Sequence, residues 1–168
     1  MSTKLSIENI TMLLTACHKA KHVTELQPPL PNGITPGHLK VIDCVHRYEA
    51  NNQSAKVSDI ADEMQVTRPG ITRLVRELEN FHALEKFMDA QDKRIVRLHL
   101  TAKGRELYAY YILQYHAWLA EQITDISAED IRTTASTIAK LYQTLSTHTP
   151  KLQGEAPVVS KKGATNHD

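Results

Sequence analysis

VSDIADEMQVTRPGITRLVRELE, residues 57–79, holds two helical patterns with almost nothing between them. In the first, VSDIADEM, Ile60, Ala61 and Met64 fall on one face and Ser58 stands as the expected N-cap. Gln65-Val66-Thr67 is too short for anything but a tight turn. Thr67 caps the second helix, Val66 and Ile71 stand at hydrophobic-staple spacing, and Pro69 falls in the first turn, where a missing N–H costs little. Ile71, Leu74, Val75 and Leu78 then form one apolar stripe. A short helix, a three-residue turn and a second capped helix make a helix-turn-helix.

The second helix carries a particular chemistry on its other side. Between Thr67 and Arg76 there are three arginines, Arg68, Arg73 and Arg76, and no acid. Arg73 and Arg76 share a face with Thr72, roughly opposite the stripe. In helix-turn-helix proteins this helix lies in the major groove with its N-terminal residues toward base edges, and its positive end favours a nearby phosphate. Ser58, Thr67, Arg68, Pro69, Gly70, Thr72, Arg73 and Arg76 are therefore the candidate DNA contacts of this motif. From Val57 to Gly104 the chain has eight Lys plus Arg and eight Asp plus Glu, so placement and not bulk charge must do the work.

Next comes a hairpin pattern over residues 86–100. Val96, Leu98 and Leu100 alternate with Arg97 and His99, and the turn before them holds Asp92, Lys93 and Arg94. A β-ribbon after a helix-turn-helix makes a winged helix, whose basic tip can enter a minor groove; a narrow A·T-rich groove attracts arginine. Arg94, flanked by Lys93, suits that role. Asp92 has the wrong sign for phosphate and is expected to brace the tip by pairing with Arg94 or with a residue of the second helix.

Outward from this lobe the pattern is helical. Residues 5–24 space Ile7, Ile10, Leu13, Leu14 and Cys17 as one stripe expected to be buried; LQPPLPNG (26–33) breaks the chain. Thr35 and Pro36 start a helix that ends near Tyr48, with Ile34 and Leu39 as its staple. EANNQSAK (49–56) reads as a loop. Thr101 caps one long helix through Gln122, and Ser127 starts a last helix to Thr147, with Asp130 three residues on. The fold class is mostly α with one small β-hairpin. Residues 150–168, where the chain turns to Pro, Gly and Lys, are expected to be a disordered tail.

The chain has 168 residues and a net charge of +1, so it is no polycation. It has no apolar run near the roughly 20 residues needed to cross a bilayer, no secretory signal, and two cysteines, too few for a disulfide framework. A cytoplasmic protein is the simplest expectation. It shows no nucleophile elbow, glycine-rich phosphate loop or metalloprotease pairing, so an enzyme is not expected.

At this point the residues resemble the MarR family of bacterial transcription regulators. The resemblance is carried by Asp59-Ile60-Ala61, by Leu74-Val75-Arg76-Glu77-Leu78-Glu79, by His82-Ala83-Leu84-Glu85-Lys86, by Asp92-Lys93-Arg94 six residues on, and by Leu100-Thr101-Ala102-Lys103-Gly104. His82 stands where the family has glycine, and Lys86 where it has arginine. The resemblance implies one domain over residues 1–149, with a winged-helix lobe over about 35–100 and dimerisation helices over about 5–24 and 102–147. It also implies a homodimer on a pseudo-palindromic operator, and repression relieved by a small aromatic or lipophilic effector with no required cofactor. The implied effector pocket lies between dimer helices and lobe; Leu13, Cys17, His38, Ile42 and Tyr111 are its candidate lining. Three alternatives remain: redox sensing through Cys17, metal sensing through His18 and His22 with Cys17 and His38, and a protein-docking winged helix that binds no DNA.

Overall fold

The computed structural model describes residues 5–148; residues 1–4 and the expected tail at 150–168 lie outside them. The chain divides into two compact units, residues 1–125 and 126–168. The first contains α1 (Ile7–Val23), α2 (Pro36–Ala50), β1 (Ala55–Lys56), α3 (Val57–Met64), α4 (Arg68–Asn80), β2 (Leu84–Met88), β3 (Val96–Leu100), α5 (Ala102–Tyr108), a π-helical segment (Ala109–Gln114) and α6 (Tyr115–Gln122). In the second, the described residues form α7 (Ala128–Thr147).

Local chemistry fixes the ends of these elements. At α2 the Thr35 hydroxyl accepts from the His38 amide at 3.3 Å, while His38 Nδ1 accepts from the Thr35 amide at 3.1 Å. This reciprocal box satisfies two donors that the first turn would otherwise leave open. Thr67, Thr101 and Ser127 cap α4, α5 and α7 as their sequences require. Ser58 does not cap α3. The helix begins one residue before it, because Lys56 is held extended in β1 opposite Arg97; the Ser58 hydroxyl instead meets Asp59 Oδ1 at 3.2 Å. Gln65 closes α3 in the left-handed region with φ of 56°, which makes the tight turn into α4.

The three strands form an antiparallel sheet in the order β1-β3-β2, with Leu84 opposite Leu100, Met88 opposite Val96 and Ala55 opposite Leu98. β1 lies in the segment read as a loop. It buries Ala55 completely against the lobe core, where Val41, Ile42, Val45, Ile60, Val75, Leu78, Leu98 and Leu100 are also fully buried. Each such Val, Leu or Ile contributes about 1.5–3 kcal/mol relative to an exposed side chain. The Glu49 carboxylate ties α2 to the C-terminal end of the sheet, accepting from the Leu100 amide at 2.8 Å and from Arg105 at 2.9 Å.

The helix expected from Thr101 to Gln122 is unbroken, but its middle, Ala109–Gln114, widens into a π-helical segment. Within the single chain the apolar stripe of α1 is left uncovered: Ile7, Ile10 and Leu14 are exposed, and Leu13 and Cys17 are half-buried. α7 likewise buries none of its residues, and Ile131, Ile138, Tyr142 and Leu145 stand exposed.

Candidate nucleic-acid interface

α4 presents two chemically opposite faces. Ile71, Leu74, Val75 and Leu78 are buried, and at 100° per residue Arg68, Thr72, Arg76 and Arg73 fan across the outward side. The Thr67 hydroxyl accepts from the Gly70 amide at 3.3 Å, so the amides of the first turn point outward from a fixed N-terminus. The Thr72 hydroxyl donates back to the Arg68 carbonyl at 2.8 Å, leaving its oxygen free only to accept. Arg73 pairs with Glu77 at 3.3 Å. Arg68 and Arg76 make no ion pair among the described residues. Ser58, Thr67 and Pro69 are exposed and Gly70 half-buried, so all eight candidates lie at or next to the surface of α3, its turn and α4.

The wing is the β2–β3 hairpin. Its turn is built by two aspartates. Asp89 Oδ1 accepts from the Gln91 and Asp92 amides at 2.9 and 3.0 Å, and Asp92 Oδ1 accepts from the Arg94 amide at 2.9 Å. The expected Asp92–arginine ion pair is not made; Asp92 braces the tip through the backbone. The arginine partner is Asp89, which pairs with Arg97, and Arg97 donates onward to the Ser54 carbonyl at 2.8 Å. The two turn amides and Arg97 hold the Asp89 carboxyl down at about 2. Lys93 and Arg94 are exposed at this tip and make no ion pair among the described residues. The sequence reading missed Asp89 and Arg97 because only the strand register brings positions eight apart together.

Among the cavities described, none gathers the proposed effector residues together. His38 is 1% exposed and belongs to the α2 cap, and Ile42 is sealed in the core. Leu13 and Cys17 sit on α1, away from every cavity described. Tyr111 does line the largest one, an open cleft of about 670 Å³ with Ile34, Phe81, Leu107, Tyr110 and Gln114. Tyr111 also borders a smaller cleft of about 130 Å³ beside Leu39 and Ile112. The π-helical segment therefore walls both. The Cys44 thiol is pushed up to about 11, chiefly by burial, so it is a core side chain and not a poised thiolate. His18 and His22 meet edge to face, but among the described residues no group of three His, Cys, Asp or Glu is placed to hold a metal ion.

Residues 34–96 match the model of the MarR family. The chain is 25% identical over 141 residues to the HTH-type transcriptional repressor MdtR of Bacillus subtilis, covering 84% of this chain and 88% of that one. It is 26% identical to Streptococcus pneumoniae FabT, whose crystal structure is a complex with DNA. That likeness has a TM-score of 0.61 and covers 84% of this chain and 99% of FabT. The Staphylococcus aureus MepR–DNA complex (19% identity, TM-score 0.56, 84% of this chain and 99% of that one) shares the fold. So does Streptomyces coelicolor PcaV in complex with its natural ligand (14%, TM-score 0.60, 85% and 98%).

Proposed function

We propose that the chain, whose residues 34–96 match the MarR family model, is a member of that family and a sequence-specific, double-stranded-DNA-binding transcriptional repressor. It acts as a homodimer in the cytoplasm, and a small aromatic or lipophilic effector modulates its affinity. The observation that carries this reading is the outward side of α4: three arginines and Thr72, with no acid before Glu77, on a helix whose other side is locked into the lobe core. MdtR is described as a repressor and FabT is seen on DNA, which agrees with that use of the fold. The exposed apolar side chains of α1 and of α7 support a second copy as partner, since stripes of this kind on a monomer need covering. The aromatic cleft beside Tyr110 and Tyr111 supports the effector class. No described helix is long and apolar enough to cross a membrane.

In this reading Arg68, Thr72, Arg73 and Arg76 face the major groove, and Arg94, with Lys93, faces the minor groove. The test is fluorescence anisotropy on duplexes selected from genomic fragments. Arg94→Ala should weaken binding by about 1–3 kcal/mol without unfolding the protein. Unchanged affinity would remove the wing from the interface. No binding of any duplex at low salt would overturn DNA binding and leave a protein-docking module.

A further inference from the structure

Arg73 differs from the other cations of the candidate interface. Of Arg68, Arg73, Arg76, Lys93 and Arg94, it alone has an acidic partner among the described residues. That partner, Glu77, sits one turn further along α4 and is itself held from below. Its Oε2 lies 2.9 Å from Nε2 of His38, 39 positions earlier in the chain. The direction of this bond is set by the cap of α2. A backbone amide can only donate, so Nδ1 of His38, which faces the Thr35 amide at 3.1 Å, is the acceptor. The ring proton is therefore on Nε2 and is donated to Glu77. The imidazole has no freedom to turn: it is 1% exposed, and Phe81 packs edge-on against it with ring centres 5.9 Å apart. One carboxylate oxygen is thus anchored to a buried group, and the other accepts from Nη1 of Arg73 at 3.3 Å. The Glu77 carboxyl is held below its ordinary value, first by the His38 hydrogen bond and then by Arg73, so it stays ionised where the protein works.

A carboxylate beside a DNA-facing helix side repels phosphate, and charge alone would favour its absence. We infer that His38 and Glu77 are positioning residues that fix the guanidinium of Arg73 for reading a base, while the unpaired cations around it serve phosphates. The inference rests on the DNA-binding reading above. It assigns specificity to a preorganised side chain and general affinity to free ones.

The experiment measures the ratio of affinities for two duplexes of equal length, one selected from a random pool by the wild-type protein and one scrambled. Glu77→Gln should lower that ratio about tenfold, within the range for one base contact, while affinity for the scrambled duplex holds or rises as a negative charge is lost. Arg73→Lys, which keeps the charge but loses the planar fork, should lower the ratio similarly. The Arg73→Ala/Glu77→Gln double variant should lose no more than Arg73→Ala alone. His38→Gln, which retains one acceptor and one donor, should keep most of the ratio. Thermal melts by circular dichroism establish that each variant is folded. Equal gains on both duplexes in Glu77→Gln, or additive losses in the double variant, would overturn the positioning role. A wild-type protein that does not distinguish the duplexes would overturn the DNA-binding reading, and this inference with it.

Discussion

Two residues beside the sheet show how a single backbone position limits what the chain can place there. A Cβ built on Gly104 would lie 2.1 Å from the Ala83 carbonyl oxygen, a distance at which backbone must move. The contact exists because Thr101 bridges the same corner, its amide donating to Ala83 and its hydroxyl to His82. Gly104→Ala should therefore destabilise the protein by about 1–3 kcal/mol or more. In a thermal melt that is a fall of about 2–4 °C for each kcal/mol; an unchanged midpoint would show that the corner yields freely. His82 presents the opposite case. It ends α4 with φ of 55°, its amide bonding to the Glu79 carbonyl and the next amide, Ala83, to Leu78. This is the Schellman arrangement, which favours glycine at that position. A side chain in the left-handed region costs about 1–2 kcal/mol, and glycine gives back about 0.5–1 in chain entropy. His82→Gly should raise stability by roughly 0.5–1 kcal/mol, the difference of those terms, read as a higher denaturant midpoint with unchanged slope.

At the scale of the element, the wing is a hairpin whose tip is held by two carboxylates, of which Asp89 has the more partners. Asp89 binds two turn amides and Arg97, and Arg97 reaches across the sheet to the Ser54 carbonyl. Asp89→Asn should loosen the turn selectively, speeding hydrogen exchange of the Ile95 amide, which bonds to the Asp92 carbonyl, while α4 amides stay protected. Because the folded Asp89 value, about 2, lies below that of the unfolded chain, its contribution is complete above the ordinary carboxylate range. It is lost as pH falls toward 2. A carboxyl titration followed by NMR should find that midpoint, and one near 4 would deny the brace. This element also shows what sequence carries and what it does not. Caps at Thr35, Thr67, Thr101 and Ser127, the α4 stripe and the β3 alternation are local signals, and the structure contains each of them. The two-residue β1 has no pattern of its own and exists because β3 offers an edge to pair with. The π-helical segment hides in a run of tyrosines that reads equally well as ordinary α-helix. The candidate DNA face was legible because helical spacing alone gathers it. The His38–Glu77 bond was not, since its ends lie 39 positions apart in the chain.

The whole molecule must bind DNA, in the reading above, with almost no net charge. At +1 overall and neutrality from Val57 to Gly104, attraction depends on the sidedness of the charges and on having two copies. Each protomer offers five exposed cations for the duplex: Arg68, Arg73, Arg76, Lys93 and Arg94. With Arg73 on a base, the other four cations of each protomer can neutralise about six to eight phosphates in the pair, and affinity should fall by about 10³–10⁴ between roughly 50 and 200 mM salt. Separating the protomers should cut the logarithmic salt slope to about half, because that slope counts phosphates engaged per binding unit. Ile10→Asp/Leu14→Asp tests this. Both side chains are exposed within the chain, so the charges should spare the protomer fold and oppose only a partner. Sedimentation should show a dimer for the wild type and a monomer for the variant, with the lobe's melting signal retained. A variant that stays dimeric would show that α1 lies outside the interface. A monomer that keeps the full slope would show that one lobe carries all the DNA contacts, and the two-lobe operator would have to be abandoned.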